Sequence, residues 1–382
     1  MLLLTPIMIL FYQENGLTIK EFFLFQSIFY LVSILAEVPV GYLADRISKK
    51  LLLLGSYSIF FFVTIIWLNF KGYFIILLGE ILIGISKVMS DNAQSGYLYD
   101  YLKYKNEQET MPKKYGYMNF FLSMGTVFAA IIGTKFYISY GTHTILLTEA
   151  LLMFTSICLI FSLPSAYNPA KRIKKISSRL INYSRVFISI CKREALLSYI
   201  LYSGFLVSFS IVFATSFQPI MLKAMVPVAV FGVAAFFNHG LRALFSLLAG
   251  KLSSLFSIQS MIVPLYFLYI LAFICIFITL HTVQTKIIIS LILLICIIIG
   301  IQLLFTIRHI SRLHRYVSSK NRGVIISINN FVSRGLAFIA LFSAKILIEK
   351  WGLEHYYLVL FMIFIFVGLF LMIKANRVKD AA

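Results

Sequence analysis

Eleven apolar runs, each of about twenty residues or more and each separated from the next by a polar connector, decide the solvent of this chain. They cover residues 21–44, 51–70, 73–99, 115–137, 143–163, 194–222, 227–250, 259–280, 287–308, 323–348 and 355–373. About 20 helical residues cross a hydrocarbon layer roughly 30 Å thick. Within lipid, only a helix or a closed barrel satisfies every backbone polar group, and runs of this length predict helices. Residues 1–13 form a shorter run that reaches about 20 Å at ~1.5 Å per residue, so a first helix cut short at its start is expected, with the true initiation site upstream of Met1. Hydrophobic residues make up 60% of the chain and charged residues 13%, against about a quarter charged in soluble domains. The expected class is an all-α integral membrane protein.

The net charge of +20 does not point to nucleic acid, because the basic residues do not gather on a water-soluble face. They alternate with the apolar runs. Connectors that would share one side of the membrane hold 24 Lys and Arg, those on the other side hold seven, and Lys87, Arg242 and Arg334 lie inside runs. By the positive-inside rule the richer side is cytoplasmic, and both termini of the complete protein are expected there. The polar stretch 164–193 divides the chain into an N-terminal half, 1–163, and a C-terminal half, 194–382. Its basic run, Lys171 to Arg179, is expected to be a tether that sets topology; the alternative is an amphipathic helix lying on anionic lipid. The cysteines and the scattered His239, His281, His309, His314 and His355 lack metal-ligand spacing. No metal or other cofactor is expected, and no phosphate-cradling G-x-x-x-x-G-K-[ST] loop is present.

Between the runs at 21–44 and 51–70 lies Gly41-Tyr-Leu-Ala-Asp-Arg-Ile-Ser-Lys-Lys50, read as a Gly-led turn bearing Asp45, Arg46, Lys49 and Lys50. It closely resembles the loop between the second and third helices of the major facilitator superfamily, roughly G-x-L-a-D-R-x-G-R-K, with Ser48 and Lys49 as departures. Glu37-Val-Pro39, Tyr99-Asp100 at the end of the fourth helix, and Asn321-Arg322-Gly323-Val-Ile-Ile-Ser327 before the eleventh also look like bacterial members of that family related to drug efflux proteins. The resemblance implies two six-helix halves around a central cavity, about twelve helices in all. It implies a conformational latch made of Gly41, Asp45, Arg46 and Lys50, with Asp100 as the partner of Arg46.

Ionisable groups inside spans are costly and mark function by default. Glu80, Lys87 and Asp91 share one face of the fourth helix at spacings of seven and four. Glu37 stands nine residues, about 13 Å, from the cytoplasmic end of its helix, out of bulk water yet able to load and release a proton. Glu37, Asp91 and Glu149 are the proton-coupling candidates. Glu80, Lys87, Asn238, Arg242, Gln302 and Arg334 are the substrate-cavity candidates, with His239 and Gln218 as further polar residues. For Lys87 and Asp91 a static ion pair is the competing role. Arg242 and Arg334 either grip an anionic substrate or pair with acids of the first half as a gate.

The expected function is secondary active transport in the bacterial inner membrane, as a monomer: export of a small amphipathic molecule in exchange for protons, the two halves rocking around a midplane site. The alternative within transport is proton-linked movement of an anionic metabolite or carboxylate siderophore. A transporter-like receptor or a membrane enzyme is the rival of another class. The partners implied are a small-molecule substrate, protons and the lipid bilayer.

Overall fold

The computed structural model describes residues 3–164, 194–255, 258–282, 284–313 and 322–377. Almost all of the expected connector 164–193, its basic tether included, lies outside the described residues. A 3-10 turn, Thr5–Ile7, leads into the short α1, Met8–Glu14. Next come α2 (Ile19–Arg46), α3 (Lys49–Asn69), α4 (Tyr73–Tyr104) and α5 (Met111–Ser162). The second part holds α6 (Glu194–Lys223), α7 (Val228–Leu255), α8 (Ile258–His281), α9 (Thr285–Leu313) and α10 (Arg322–Ile363). A π-helical turn, Phe364–Gly368, then joins α10 to α11, Leu369–Arg377.

Helix boundaries follow local chemistry. Thr18 and Glu21 form a reciprocal capping box that starts α2, satisfying amides that the first helical turn leaves without partners. Ser48 starts α3 by accepting from Leu51 N at 3.2 Å. One expectation is corrected here. The break between α2 and α3 does not begin at Gly41: α2 runs through that residue to Arg46, and only Ile47 and Ser48, both extended, turn the chain. Continuing the helix keeps its backbone groups bonded in place, so the sharp turn moves to where Ser48 can cap.

Two helices are too long for one crossing. At ~1.5 Å per residue, α5 with 52 residues and α10 with 42 would span about 78 and 63 Å. Each is broken at a glycine, Gly141 (φ 75°, ψ −179°) and Gly352 (φ 84°, ψ 172°), in a backbone region essentially closed to any residue with a Cβ. Both breaks fall in gaps that the sequence leaves between apolar runs, so α5 and α10 each consist of two legs. Nine stretches of helix among the described residues are long and apolar enough to cross a membrane, these two counted once each.

In the first part of the chain α4 packs on both α2 and α3, and the second leg of α5 packs on α3. Phe61 and Phe154 meet with ring centroids 6.1 Å apart, and Ser56 and Ser86 exchange hydrogen bonds through the α3–α4 contact. In the second part α9 packs on α7 and α8, and α10 on α6. Phe364 anchors an aromatic core there with Phe205, Phe209, Tyr266, Tyr269 and Phe273. The two parts meet along two broad seams, α2 against α10 and the first leg of α5 against α7.

Candidate functional site

The α2–α10 seam carries charge at mid-depth. On α10, Ser327 and Arg334 are seven residues apart and therefore share a face. On α2, Glu37 meets both: Arg334 donates from Nη1 to Glu37 Oε2 at 3.1 Å, and Ser327 Oγ lies 3.4 Å from Oε1. The other guanidinium nitrogen of Arg334 reaches Asp91 Oδ2 of α4 at 3.8 Å. Asp91 in turn accepts from Lys87, one turn earlier on the same helix, at 2.6 Å. Two acids and two bases thus cancel in a chain that ties α2 and α4 to α10.

Access to water decides what such a chain can do. The Glu37 and Arg334 side chains keep 22% and 21% of their surface, and Asp91 keeps 39%. These groups sit roughly 13–20 Å from the nearer ends of their helices at ~1.5 Å per residue, at the seam where the two parts of the chain meet. The end of the bundle near Lys20 is shut. There Lys20 bridges α2 to Glu349 of α10 at 2.7 Å. Gln218 of α6 clamps the first helix, donating to Thr5 O at 2.7 Å and accepting from Ile9 N at 2.9 Å. On the second seam α5 and α7 touch so closely that a Cβ on Gly232 would stand 2.6 Å from Thr134 Oγ1 and 2.9 Å from Ala130 O.

Arg242 behaves differently from Arg334. It lies halfway along α7, enclosed by surrounding protein atoms yet with accessible surface of its own. None of the described carboxylates forms an ion pair with it. Its neighbours are Tyr30 of α2, Tyr269 of α8 and His239, and Tyr30 lies within electrostatic reach of Arg334 as well. Asn238, one turn before Arg242, is 6% exposed, and its Oδ1 has no partner among the described residues. Gln302 is turned inward on α9, donating to Thr306 Oγ1 at 2.7 Å.

The remaining acids serve packing at the Lys20 end. Glu80 accepts a hydrogen bond from Tyr12 of α1 and is 2% exposed, and Glu149, fully buried, accepts from Leu3 N at 2.8 Å. At the opposite end Lys50 donates to Phe161 O at 2.8 Å and to Leu163 O at 2.6 Å, capping the second leg of α5. Lys49 donates to Ala44 O at the end of α2, its stem lying against Gly96 of α4. Arg46 rests over the Tyr42 ring, 4.2 Å from its centroid; the structure does not bring it onto Asp100, and the Asp45 side chain lies outside the described residues. Among the described residues no three His, Cys, Asp or Glu side chains converge as metal ligands would.

Sequence reasoning did not single out Tyr12, Lys20, Tyr30 or Glu349, and it did not assign Ser327 to Glu37. The signal for Ser327 was present in its two-turn spacing from Arg334. The similar depths of Glu37 and Arg334 in their helices, about 13 and 18 Å from the same end, were a second signal.

A family model described as Major Facilitator Superfamily matches residues 1–341. The chain belongs to the major facilitator superfamily. Two solved structures share its fold: the nucleoside transporter NupG, at 12% identity with a TM-score of 0.76, covering 98% of this chain and 95% of that one, and a point mutant of NupG, at 13% and 0.78, covering 97% and 94%. No curated protein matches. This facilitator is accordingly a multi-pass membrane transporter of a small molecule.

Proposed function

We propose that this facilitator is a proton-coupled secondary transporter, gated by the Glu37–Arg334–Asp91 bridge between its two parts. The observation that carries this reading is that one arginine of α10 holds acids from two helices of the other part, all three side chains keeping part of their surface accessible. With both acids ionised, the attraction holds α2 and α4 against α10. A proton on Glu37 or Asp91 weakens that attraction and leaves one positive charge of the chain uncompensated, and protons on both leave Arg334 and Lys87 without counter-charge, so protonation favours separation. A difference of ~1.4 kcal/mol in this contact changes the ratio of two states about tenfold.

The 24-to-7 bias of basic residues supports a cytoplasmic Lys49 end, hence a structure shut toward the outside. In this reading residues 1–163 and 194–382 are the two six-helix halves that rock. Asp45, Arg46 and Asp100, at neighbouring helix ends, latch the cytoplasmic side when it closes. The protein acts as a monomer in the inner membrane. Export of an amphipathic cargo is the direction drawn from the likeness to efflux proteins, whereas NupG transports nucleosides. Four of the aromatic residues, Phe209, Phe213, Phe273 and Phe364, pack on one another in the second part and give the amphipathic cargo no support.

The test uses proteoliposomes with an imposed pH gradient and two cargoes, ethidium and labelled benzoate. The gradient is expected to drive one of them, and Glu37→Gln is expected to abolish the dependence on the gradient. Gradient-driven movement as strong in Glu37→Gln as in the wild type contradicts the gate.

A further inference from the structure

We infer that Arg242 is the group that holds the transported solute, and that the solute presents an oxyanion, a carboxylate or a phosphate group. This inference rests on the transporter reading and names the substrate class that reading leaves open. Four side chains of the α2–α4–α10 cluster cancel one another: Glu37 and Asp91 against Arg334 and Lys87. Among the described residues of these mid-helix positions, Arg242 is then a cation with no carboxylate against it. A guanidinium cannot shed its proton in a protein, and it offers five donors in a fixed fork. Here those donors find no acceptor among the described residues, although the residue stands in the middle of a membrane-crossing helix.

Its position excludes the commonest anion of a membrane. Arg242 is 14 residues from Val228 and 13 from Leu255, about 20 Å from either end of α7 at ~1.5 Å per residue. A phospholipid headgroup stays at the interface and does not reach that depth. A small solute entering the cleft does. The fork matches an oxyanion in two-point contact. The unpartnered Oδ1 of Asn238, one turn away, suits a ligand that carries a hydrogen-bond donor beside its anionic group. Tyr30 lies within electrostatic reach of both arginines, which puts Arg242 and Arg334 on the same side of the bundle interior. Protons that neutralise Glu37 and Asp91 free Arg334 to become a second anchor for the same anion, which couples proton loading to anion retention.

Thermal unfolding of the full-length protein in detergent tests the assignment, with benzoate, inorganic phosphate or ethidium added against chloride at matched ionic strength. Benzoate or phosphate is expected to raise the wild-type midpoint, the effective one of the two identifying the oxyanion, while ethidium does not. The concentration giving half the effect is expected to rise about tenfold or more in Arg242→Gln. Arg242→Lys, which keeps the charge and loses the fork, is expected to fall between them, and it carries the test if the glutamine variant does not fold. Equal stabilisation of wild type and Arg242 variants overturns the assignment, as does the absence of any oxyanion effect in the wild type. Gradient-driven movement of ethidium that Arg242→Gln leaves intact would overturn the anionic class while the transporter stands. Failure of the wild type to move either cargo with the gradient overturns the coupled-transport reading itself.

Discussion

The charge chain is built from one pair within a helix and others across the seam between the two parts. Lys87 and Asp91 are neighbours by helical spacing alone, and they pair at 2.6 Å. Glu37 and Arg334 are separated by 297 positions, and no local pattern connects them. What the sequence offered was a sorting of charge, acids in the first part and arginines in the second, together with two competing roles for the arginines. The structure separates the two arginines: Arg334 pairs with Glu37 and Asp91, whereas no described carboxylate pairs with Arg242, and the proposed gate and ligand roles follow that division. Glu80 shows the limit of residue-by-residue reasoning. Assigned to the cavity on account of its helical face, it is sealed under Tyr12 instead. Removing that hydroxyl with Tyr12→Phe is expected to lower stability by about 1–2 kcal/mol, the upper range for interhelical bonds in membranes. Thermal unfolding measures the loss, and the response of transport to a pH gradient should survive. Asp91→Asn, by contrast, is expected to leave stability within about 1 kcal/mol, since the pairs it breaks are partly solvated, while weakening the pH dependence of transport.

At the scale of the elements, the apolar runs were legible because lipid allows so few backbone solutions. The turns were less so. A glycine reads as a break in sequence, yet Gly41 is absorbed into α2 whereas Gly141 and Gly352 break their helices; the difference is that Gly41 lies inside an apolar run, and the other two lie in gaps between runs. Gly141→Ala forces a Cβ into the region at φ 75° and is expected to cost about 1–3 kcal/mol, read as a lower unfolding midpoint. Gly232 differs in kind, its backbone being helical and its constraint the neighbouring α5. With a Cβ meeting Ala130 O at 2.9 Å and Thr134 Oγ1 at 2.6 Å, Gly232→Ala wedges apart the seam that shuts the Lys20 end. Thiol labelling of a cysteine introduced at Lys20 is expected to quicken in this variant, as the population shifts toward the state open at that end. Unchanged labelling would mean that the α5–α7 seam does not limit opening there.

Over the whole molecule, the structure is one of two states implied by its own contacts. Lys20–Glu349, the Gln218 clamp and the Gly232 contact hold one end, and the solvated charge chain at mid-depth is what a second state must break or remake. Fold and transport were readable from apolar periodicity and the Gly41–Lys50 segment because both are written locally. The gate was not, because it exists only where α2 and α10 meet. The most direct measurement of that gate is the distance between spin labels at Leu43 on α2 and Phe331 on α10, recorded by pulsed electron resonance in a background without the native cysteines. If protons operate the bridge, the distance distribution lengthens on moving from neutral to acidic pH in the wild type. In Glu37→Gln it is already long at neutral pH and stays there. A wild-type distribution that is the same at both pH values, or a Glu37→Gln variant that still responds to pH as the wild type does, would contradict a proton-operated gate.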